Sequence, residues 1–254
     1  MKTLLTLLTF LCLSSTMYGQ QKTIHVFVAL CDNENQGIVP VPATLGNGKD
    51  IKNNLYWGAA FGVKSYFKHK TSDWNLVRSL PAKNPYILER LLFKHAIKDV
   101  YMLADAYDGE RIKHCTTDFL KAANGQLPLI IALNSKKLGF GGRADLMAYI
   151  GHDGLMDFEV DLSYHPKVDQ TKDVIILACY SKNYFSPHIK SAKANPILWT
   201  THLMAPEAYS LKAALDGWME NEDGTQIKER AAQAYDTYQK CGIRGARNLF
   251  AYGF

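Results

Sequence analysis

Two side chains of complementary chemistry accompany two apolar stretches of the chain. His152 lies in AYIGHDG (148–154), and Cys179 follows the apolar part of DVIILACYS (173–181). A free thiol is mostly protonated at neutral pH and is a weak nucleophile in that form. A nearby imidazole takes the proton of the thiol and later returns it to a leaving amine. These residue types therefore predict a thiol nucleophile, Cys179, with His152 as general acid/base.

The two residues share a predicted structural position. Ligand sites in open parallel sheets lie beyond the carboxyl ends of the strands. His152 and Cys179 lie at such ends, and so do Asp32, Asp105 and the polar segment 200–202. Gly151 and Gly154 flank His152 and allow a backbone to approach a substrate closely. The sequence thus predicts that a histidine and a cysteine meet at one edge of a sheet.

Continuous apolar segments alternate with amphipathic ones. This pattern is typical of a mostly parallel sheet that is covered on both faces. We therefore predict an α/β fold, a three-layer sandwich with a mostly parallel central sheet. Segment 33–54, rich in Gly, Pro and Asn, is predicted to be a long loop, and segments 84–99 and 155–172 stay ambiguous. The predicted strands are 23–32, 98–109, 145–154, 173–181 and 196–204, and the clearest predicted helices are 54–70, 109–125, 205–224 and 225–242.

The N-terminus has the pattern of a secretory signal. One lysine precedes an apolar run over 4–13, and small and polar residues follow it. We predict a signal peptide over 1–19, a single α/β domain over 20–254, and an exported protein that is periplasmic or secreted. No other apolar run is long enough to span a bilayer, so no membrane anchor is expected. The net charge of +5 is scattered among acidic residues, which argues against nucleic-acid binding.

The cysteines leave two interpretations open. Cys12 lies in the predicted signal, and Cys31, Cys115, Cys179 and Cys241 remain in the exported chain. An even number of cysteines in an oxidising compartment is compatible with two disulfides. A free nucleophile at Cys179 leaves three others, of which at least one is also unpaired.

The two motifs together resemble the caspase-like cysteine peptidases, a group that includes caspases, legumains, gingipains and clostripain. In that group a histidine followed by glycine ends the third strand, and an Ala-Cys pair ends the fourth. His152 corresponds to the histidine, Gly154 approximately to the glycine, and Ala178-Cys179 to the Ala-Cys pair. The form ACYS is similar to the legumain branch. The resemblance follows the order of elements from Ile24 to Trp218, although about fifteen residues carry it.

The resemblance implies a caspase-like fold and an exported peptidase, a hydrolase that needs no cofactor and acts on a peptide or protein. The backbone N–H groups of Gly154 and Cys179 are the implied oxyanion donors. Segment 196–209 corresponds to the fifth strand and the loop of the first substrate pocket, and the pocket candidates are Asp153, Thr200, Thr201 and His202. The chain departs from the family in having His-Asp-Gly instead of His-Gly and a shorter interval between the histidine and the cysteine.

Other interpretations of the same residues stay open. The chain is alternatively a catalytically inactive caspase-like binding module whose loop 36–54 recognises a partner. A weaker alternative is a metal-assisted hydrolase with ligands among His152, Asp153, His165, His188 and His202, although no pair has the spacing of a helical zinc site. Asp153 either orients His152, lines a pocket for a basic side chain or, as its position in a turn favours, caps that turn.

Overall fold

The structure, a computed structural model, describes residues 21–165 and 171–254. The predicted signal peptide, 1–19, and part of the ambiguous segment 155–172 therefore lie outside the described residues. The strands are β1 (Lys22–Ala29), β2 (Trp74–Ser79), β3 (Ile87–His95), β4 (Val100–Tyr107), β5 (Pro128–Leu133), β6 (Lys136–Gly141), β7 (Leu146–Ile150), β8 (Asp173–Leu177), β9 (Asn195–Thr200) and β10 (Phe250–Ala251). The α-helices are α1 (Val63–His69), α2 (Ile112–Ala123), α3 (Ser181–Ala192), α4 (Ala208–Met219), α5 (Gly224–Gln239) and α6 (Ile243–Leu249).

Eight strands form one sheet in the order β10-β9-β8-β7-β1-β4-β3-β2. The five central strands, β9, β8, β7, β1 and β4, run parallel. The outer strands β2, β3 and β10 pair antiparallel with their neighbours. A separate hairpin, β5 and β6, lies outside this sheet. The fold is therefore α/β with a mostly parallel central sheet, which confirms the sequence prediction at that level.

The central strands are apolar along their whole length because both faces of the sheet are covered. In β1, Ile24, Val26 and Val28 pack into a core that includes residues of α1, α4, α5 and α6. Phe27 and Ala29 face the opposite core, which includes residues of α2 and α3. A buried strand of a covered sheet loses the alternation of polar and apolar residues, as expected.

The helix predicted over 54–70 is wrong in its first half. Only Val63–His69 is helical, and the preceding residues form turns. Gly62 lies so close to the backbone of Trp57 that an added Cβ would be 2.5 Å from it. The glycine therefore allows the chain to fold back on itself, which buries the Trp57 ring and lets its Nε1 donate to Glu89 at 2.6 Å.

The antiparallel margins were not predicted from the sequence. Segment 84–99, which was ambiguous, contains strand β3, and β2 was not predicted at all. In the other ambiguous segment, 155–172, a 3-10 turn at Gly154–Met156 is followed by irregular backbone up to residue 165. The tail, which was indeterminate, forms α6 and β10. In the part of the chain that the structure describes, no helix is both long and apolar enough to cross a bilayer.

Two carboxylates that were expected near the strand ends have structural partners. Asp105 lies inside β4 opposite Phe27 and is fully buried. Burial disfavours its charge, but hydrogen bonds from Arg90 and His25 outweigh that effect and hold the pKa of Asp105 below its ordinary value. Asp32 accepts from the N–H groups of residues 34 and 35 and stabilises the start of the loop. Neither side chain is free to serve the sheet edge.

Candidate active site

Strands β7 and β8 bring the histidine and the cysteine to one edge of the sheet. The two strands are adjacent and parallel, and their last paired residues are Ile150 and Leu177. His152 and Cys179 each come two residues after that pair, and the N–H of Gly151 donates to the carbonyl of Leu177 at 3.3 Å. Neighbouring strands lie about 4.8 Å apart. The two residues therefore both follow the carboxyl ends of adjacent parallel strands, at the same edge of the sheet.

His152 is buried, and its side chain and its backbone each take part in a hydrogen bond. Its Nε2 lies 2.7 Å from Oδ2 of Asp157, which follows the 3-10 turn. Its carbonyl accepts a hydrogen bond from the hydroxyl of Tyr149 at 2.8 Å. Nδ1 of His152 has no hydrogen-bond partner within 21–165 and 171–254. This nitrogen is therefore available to exchange a proton.

Cys179 lies in a tight turn between a strand and a helix. β8 ends at Leu177, and α3 begins at Ser181. Tyr180, between the cysteine and the helix, has the left-handed conformation, with φ 48° and ψ 27°. The chain therefore turns sharply directly after Cys179, at the carboxyl end of β8.

Thr200, predicted as a pocket residue, holds this turn in place. The Thr200 hydroxyl donates to the carbonyl of Ala178. Its oxygen lies 3.0 Å from Oγ of Ser181 and accepts from the N–H of Ser181 at 3.3 Å. Oγ of Ser181 accepts in turn from the N–H of Thr200 at 3.0 Å. Because Thr200 is fully buried and its hydroxyl is engaged, it supports the turn that carries Cys179.

The sulfur of Cys179 is hydrogen-bonded to the backbone of Met204. The N–H of Met204 donates to Sγ at 3.4 Å, and Sγ lies 3.7 Å from the Met204 carbonyl. No hydrogen bond joins Sγ to His152 among the residues described. Burial of the thiol raises the Cys179 pKa, the amide of Met204 lowers it, and the negative charge of Asp153 adds to the increase. In this conformation the sulfur is therefore a neutral thiol.

The segment 201–207 carries Met204 and the remaining pocket candidates. Thr201 is anchored through its hydroxyl to the carbonyl of Asn248 at 2.8 Å, and it lies 2.8 Å from Nδ1 of His202. The exposed ring of His202 packs near Tyr180, with 6.0 Å between the ring centroids. Thr201 and His202 therefore lie at the surface next to the turn that follows Cys179, whereas Thr200 lies beneath it.

Of the two implied oxyanion donors, Cys179 has an N–H that makes a hydrogen bond to the sulfur of the same residue. Gly154 and Cys179 donate to no other residue of the described chain. The carbonyl of Gly154 is occupied, since it accepts from residues 157 and 158. Gly154 is also buried against Phe158, and an added Cβ would lie 2.5 Å from that ring. A side chain at this position would therefore displace the loop that follows His152.

Asp153 caps the turn, as one interpretation of the sequence held. Its Oδ1 accepts from the N–H of Leu155 at 3.0 Å, whereas the buried Oδ2 has no hydrogen-bond partner among the described residues. Burial raises the pKa of Asp153 from its ordinary value of 3.8 to about 7, although the N–H of Leu155 opposes the shift and the charge of Asp157 adds to it. A half-satisfied buried carboxyl reduces stability whenever it is ionised.

We expect Asp153→Asn to stabilise the protein at pH 8 and to have little effect at pH 4. Between these values the unfolded chain loses the proton first, so the free energy of unfolding of the wild type falls with pH until the folded carboxyl also ionises near pH 7. The full linkage is ~4 kcal/mol at about 1.4 kcal/mol per pKa unit, and relaxation of the site reduces it to about 2 kcal/mol. Urea unfolding at both pH values measures the difference.

The matched control for this substitution is Asp161→Asn, which makes the same charge change at an exposed residue and keeps the pH dependence of the wild type. An equal gain from Asp153→Asn at pH 4 and pH 8 would contradict the prediction, since an uncharged carboxyl has no ionisation cost to remove.

Sequence reasoning missed two contacts of the site. Asp157 was placed in an ambiguous strand or turn, and the only signal was a carboxylate shortly after His152. Met204 was assigned to the end of the fifth predicted strand, and nothing in its side chain indicates that its backbone meets the sulfur. Both contacts arise where loops fold back on the edge of the sheet.

No family model, curated protein or solved structure matches this chain.

The candidate nucleophile is not held in a disulfide. The free thiols in the structure are those of Cys31, Cys115, Cys179 and Cys241. Within the described ranges, no three side chains of His, Cys, Asp or Glu are grouped as a metal site requires. The candidate site is therefore defined by β7, β8 and the loops that follow them.

Proposed function

We propose that the protein is a cysteine peptidase of the caspase-like type, with Cys179 as nucleophile and His152 as general acid/base. The observation that supports the proposal is the pairing of β7 with β8, since His152 and Cys179 each come two residues after the last pair of these adjacent parallel strands. In chain order the parallel strands are β1, β4, β7, β8 and β9. His152 thus follows the third parallel strand and Cys179 the fourth, as in the family that the sequence resembles.

The proposed reaction uses groups whose positions are described above. Nδ1 of His152 takes the proton of Sγ, and the thiolate attacks the carbonyl carbon of a peptide bond. The N–H groups of Gly154 and Cys179 receive the negative charge that develops on the carbonyl oxygen. The imidazolium then protonates the leaving amine, and water hydrolyses the thioester with His152 as base. No cofactor takes part.

The sulfur must leave Met204 before this reaction begins. In the structure the sulfur makes hydrogen bonds with the backbone of Met204 and none with the imidazole of His152. Rotation of the Cys179 side chain toward His152, or displacement of Met204 by a bound substrate, completes the pair. The N-terminus of α3 lies just beyond the turn and favours a thiolate there.

The same contact favours a second function, an inactive caspase-like binding module. A thiol with a raised pKa and a backbone partner is a stable structural cysteine. In that case the loop 36–54, with Val39 almost fully exposed, is the recognition surface. The two functions differ in whether Cys179 forms a covalent bond with a substrate analogue.

Covalent labelling tests the peptidase proposal. Purified protein under reducing conditions is incubated with a panel of peptide acyloxymethyl ketones that vary in the residue next to the reactive group. We expect an adduct on Cys179, located by mass spectrometry of the digested protein, and its loss in Cys179→Ala. The matched control is Cys241→Ser, which removes an exposed thiol and leaves the labelling unchanged.

Labelling of Cys241 alone, or of no residue with any member of the panel, would count against the peptidase and favour the binding module.

We also propose export of the chain, on the basis of its N-terminal sequence. N-terminal sequencing of the protein released by the producing cell tests this, with a start near residue 20 as the expected result.

A further inference from the structure

One carboxylate oxygen connects the proposed base to the long loop after β1. Oδ2 of Asp157 lies 2.7 Å from Nε2 of His152 and accepts a hydrogen bond from the N–H of Gly37 at 3.0 Å. Gly37 belongs to the loop 33–53, which is distant in sequence from both other residues. The three residues therefore form a contact that depends on the folded loop.

The chemistry of this contact determines which nitrogen of His152 carries the proton. A carboxylate only accepts hydrogen bonds, so the neutral imidazole at 2.7 Å from it donates through Nε2–H. Nδ1 is then the basic nitrogen, and it is the nitrogen without a partner in the described chain. When Nδ1 accepts a proton from a thiol, the charge of Asp157 stabilises the imidazolium that forms.

Gly37 is closely packed against the same carboxylate. A Cβ added to Gly37 would lie 2.5 Å from Oδ1 of Asp157 and 3.2 Å from its Cγ. A contact of this length forces the carboxyl group to move. The loop therefore approaches Asp157 as it does only because residue 37 has no side chain, and its N–H and its lack of a Cβ together hold the carboxylate toward His152.

We infer that Asp157 is a positioning residue for His152, and that Gly37 of the loop 33–53 holds Asp157 in place. Asp157 keeps the proton of the neutral imidazole on Nε2 and leaves Nδ1 as the base, so folding of the loop against the turn after His152 completes the site. The kinetic consequence rests on the proposed peptidase function, whereas the position of the proton does not.

Nitrogen-15 NMR of the histidines measures the tautomer directly and needs no activity. The signals of His152 are assigned by their loss in His152→Gln. In the neutral ring we expect the wild type to show Nε2–H, and Asp157→Ala to show a mixture of tautomers. Asp157→Asn retains an oxygen that accepts from both donors, so it keeps the Nε2–H form. Gly37→Ala, which displaces the carboxylate, shifts the ring toward the mixture.

Kinetics provide the second readout, measured on a peptide substrate that carries the residue preferred in the labelling experiment. We expect Asp157→Ala to lower kcat by about 100-fold with KM changed less than about 2-fold, since the group acts on proton transfer. Asp157→Asn and Gly37→Ala are expected to fall between Asp157→Ala and the wild type. Asp161→Asn, at an exposed carboxylate on the same segment, is the control and leaves both readouts at the wild-type values.

An unchanged His152 tautomer in both Asp157→Ala and Gly37→Ala would overturn the inference, whatever the activity. A wild type that turns over no peptide but loses the Nε2–H form in Asp157→Ala would uphold the positioning role and reject the peptidase. If Asp157→Ala does not fold, Gly37→Ala gives the answer, because it leaves the carboxylate present and changes only its position.

Discussion

Replacement of Cys179 by alanine is expected to lower kcat/KM for peptide hydrolysis by at least about 10⁴-fold. Without the sulfur no thioester forms, and only substrate binding and the backbone N–H groups of residues 154 and 179 remain to contribute. The structure gives the variant little reason to unfold, since Cys179 is only partly buried and makes weak sulfur contacts with Met204. Release of a fluorescent amine from peptide substrates measures the rate.

Cys241→Ser is the control for this experiment, because Cys241 is exposed just after the end of α5 and has no part in the proposed reaction. It is expected to retain the wild-type rate. If Cys179→Ala retained more than a small fraction of the activity, a different nucleophile or a contaminating peptidase would be responsible, and the proposed role of Cys179 would be wrong.

The second large effect is expected at the histidine. His152→Ala should lower kcat/KM by about 10³-fold, within the range of general acid–base catalysis. The physical reason is the environment of the thiol: burial raises the Cys179 pKa, so the sulfur gives up its proton at neutral pH only to a base. Loss of the imidazole removes that base and the acid that protonates the leaving amine.

Two observations make the His152 prediction specific. Added imidazole is expected to restore part of the rate in His152→Ala, because the alanine leaves space where the ring was buried. The control His69→Ala changes an exposed histidine at the end of α1 and keeps the wild-type rate. A His152→Ala variant as active as the wild type would remove the histidine from the mechanism, even if Cys179 were essential.

Sequence reasoning reached the central sheet and the shared edge because both depend on local pattern. The continuous apolar runs of β1, β4, β7 and β8 occur only in strands that are covered on both faces. Since those strands are parallel, residues after them meet at one edge, which is how His152 and Cys179 were selected. The prediction of a helix over 54–70 was wrong in its first half because it depends on a contact that local pattern does not show. Gly62 packs against backbone that only the folded turn brings near it.

The sequence alone determined which reactive groups the protein has and which strands they follow. Tertiary structure decided their partners: Met204 for the sulfur, Asp157 (held by Gly37) for the imidazole, and Thr200 for the turn that carries Cys179. Strand position follows from continuous runs of apolar residues, whereas these partners come from loops of distant sequence. Their approach depends on the register of the whole sheet and on the packing of the segments beyond it, which no short stretch of residues encodes.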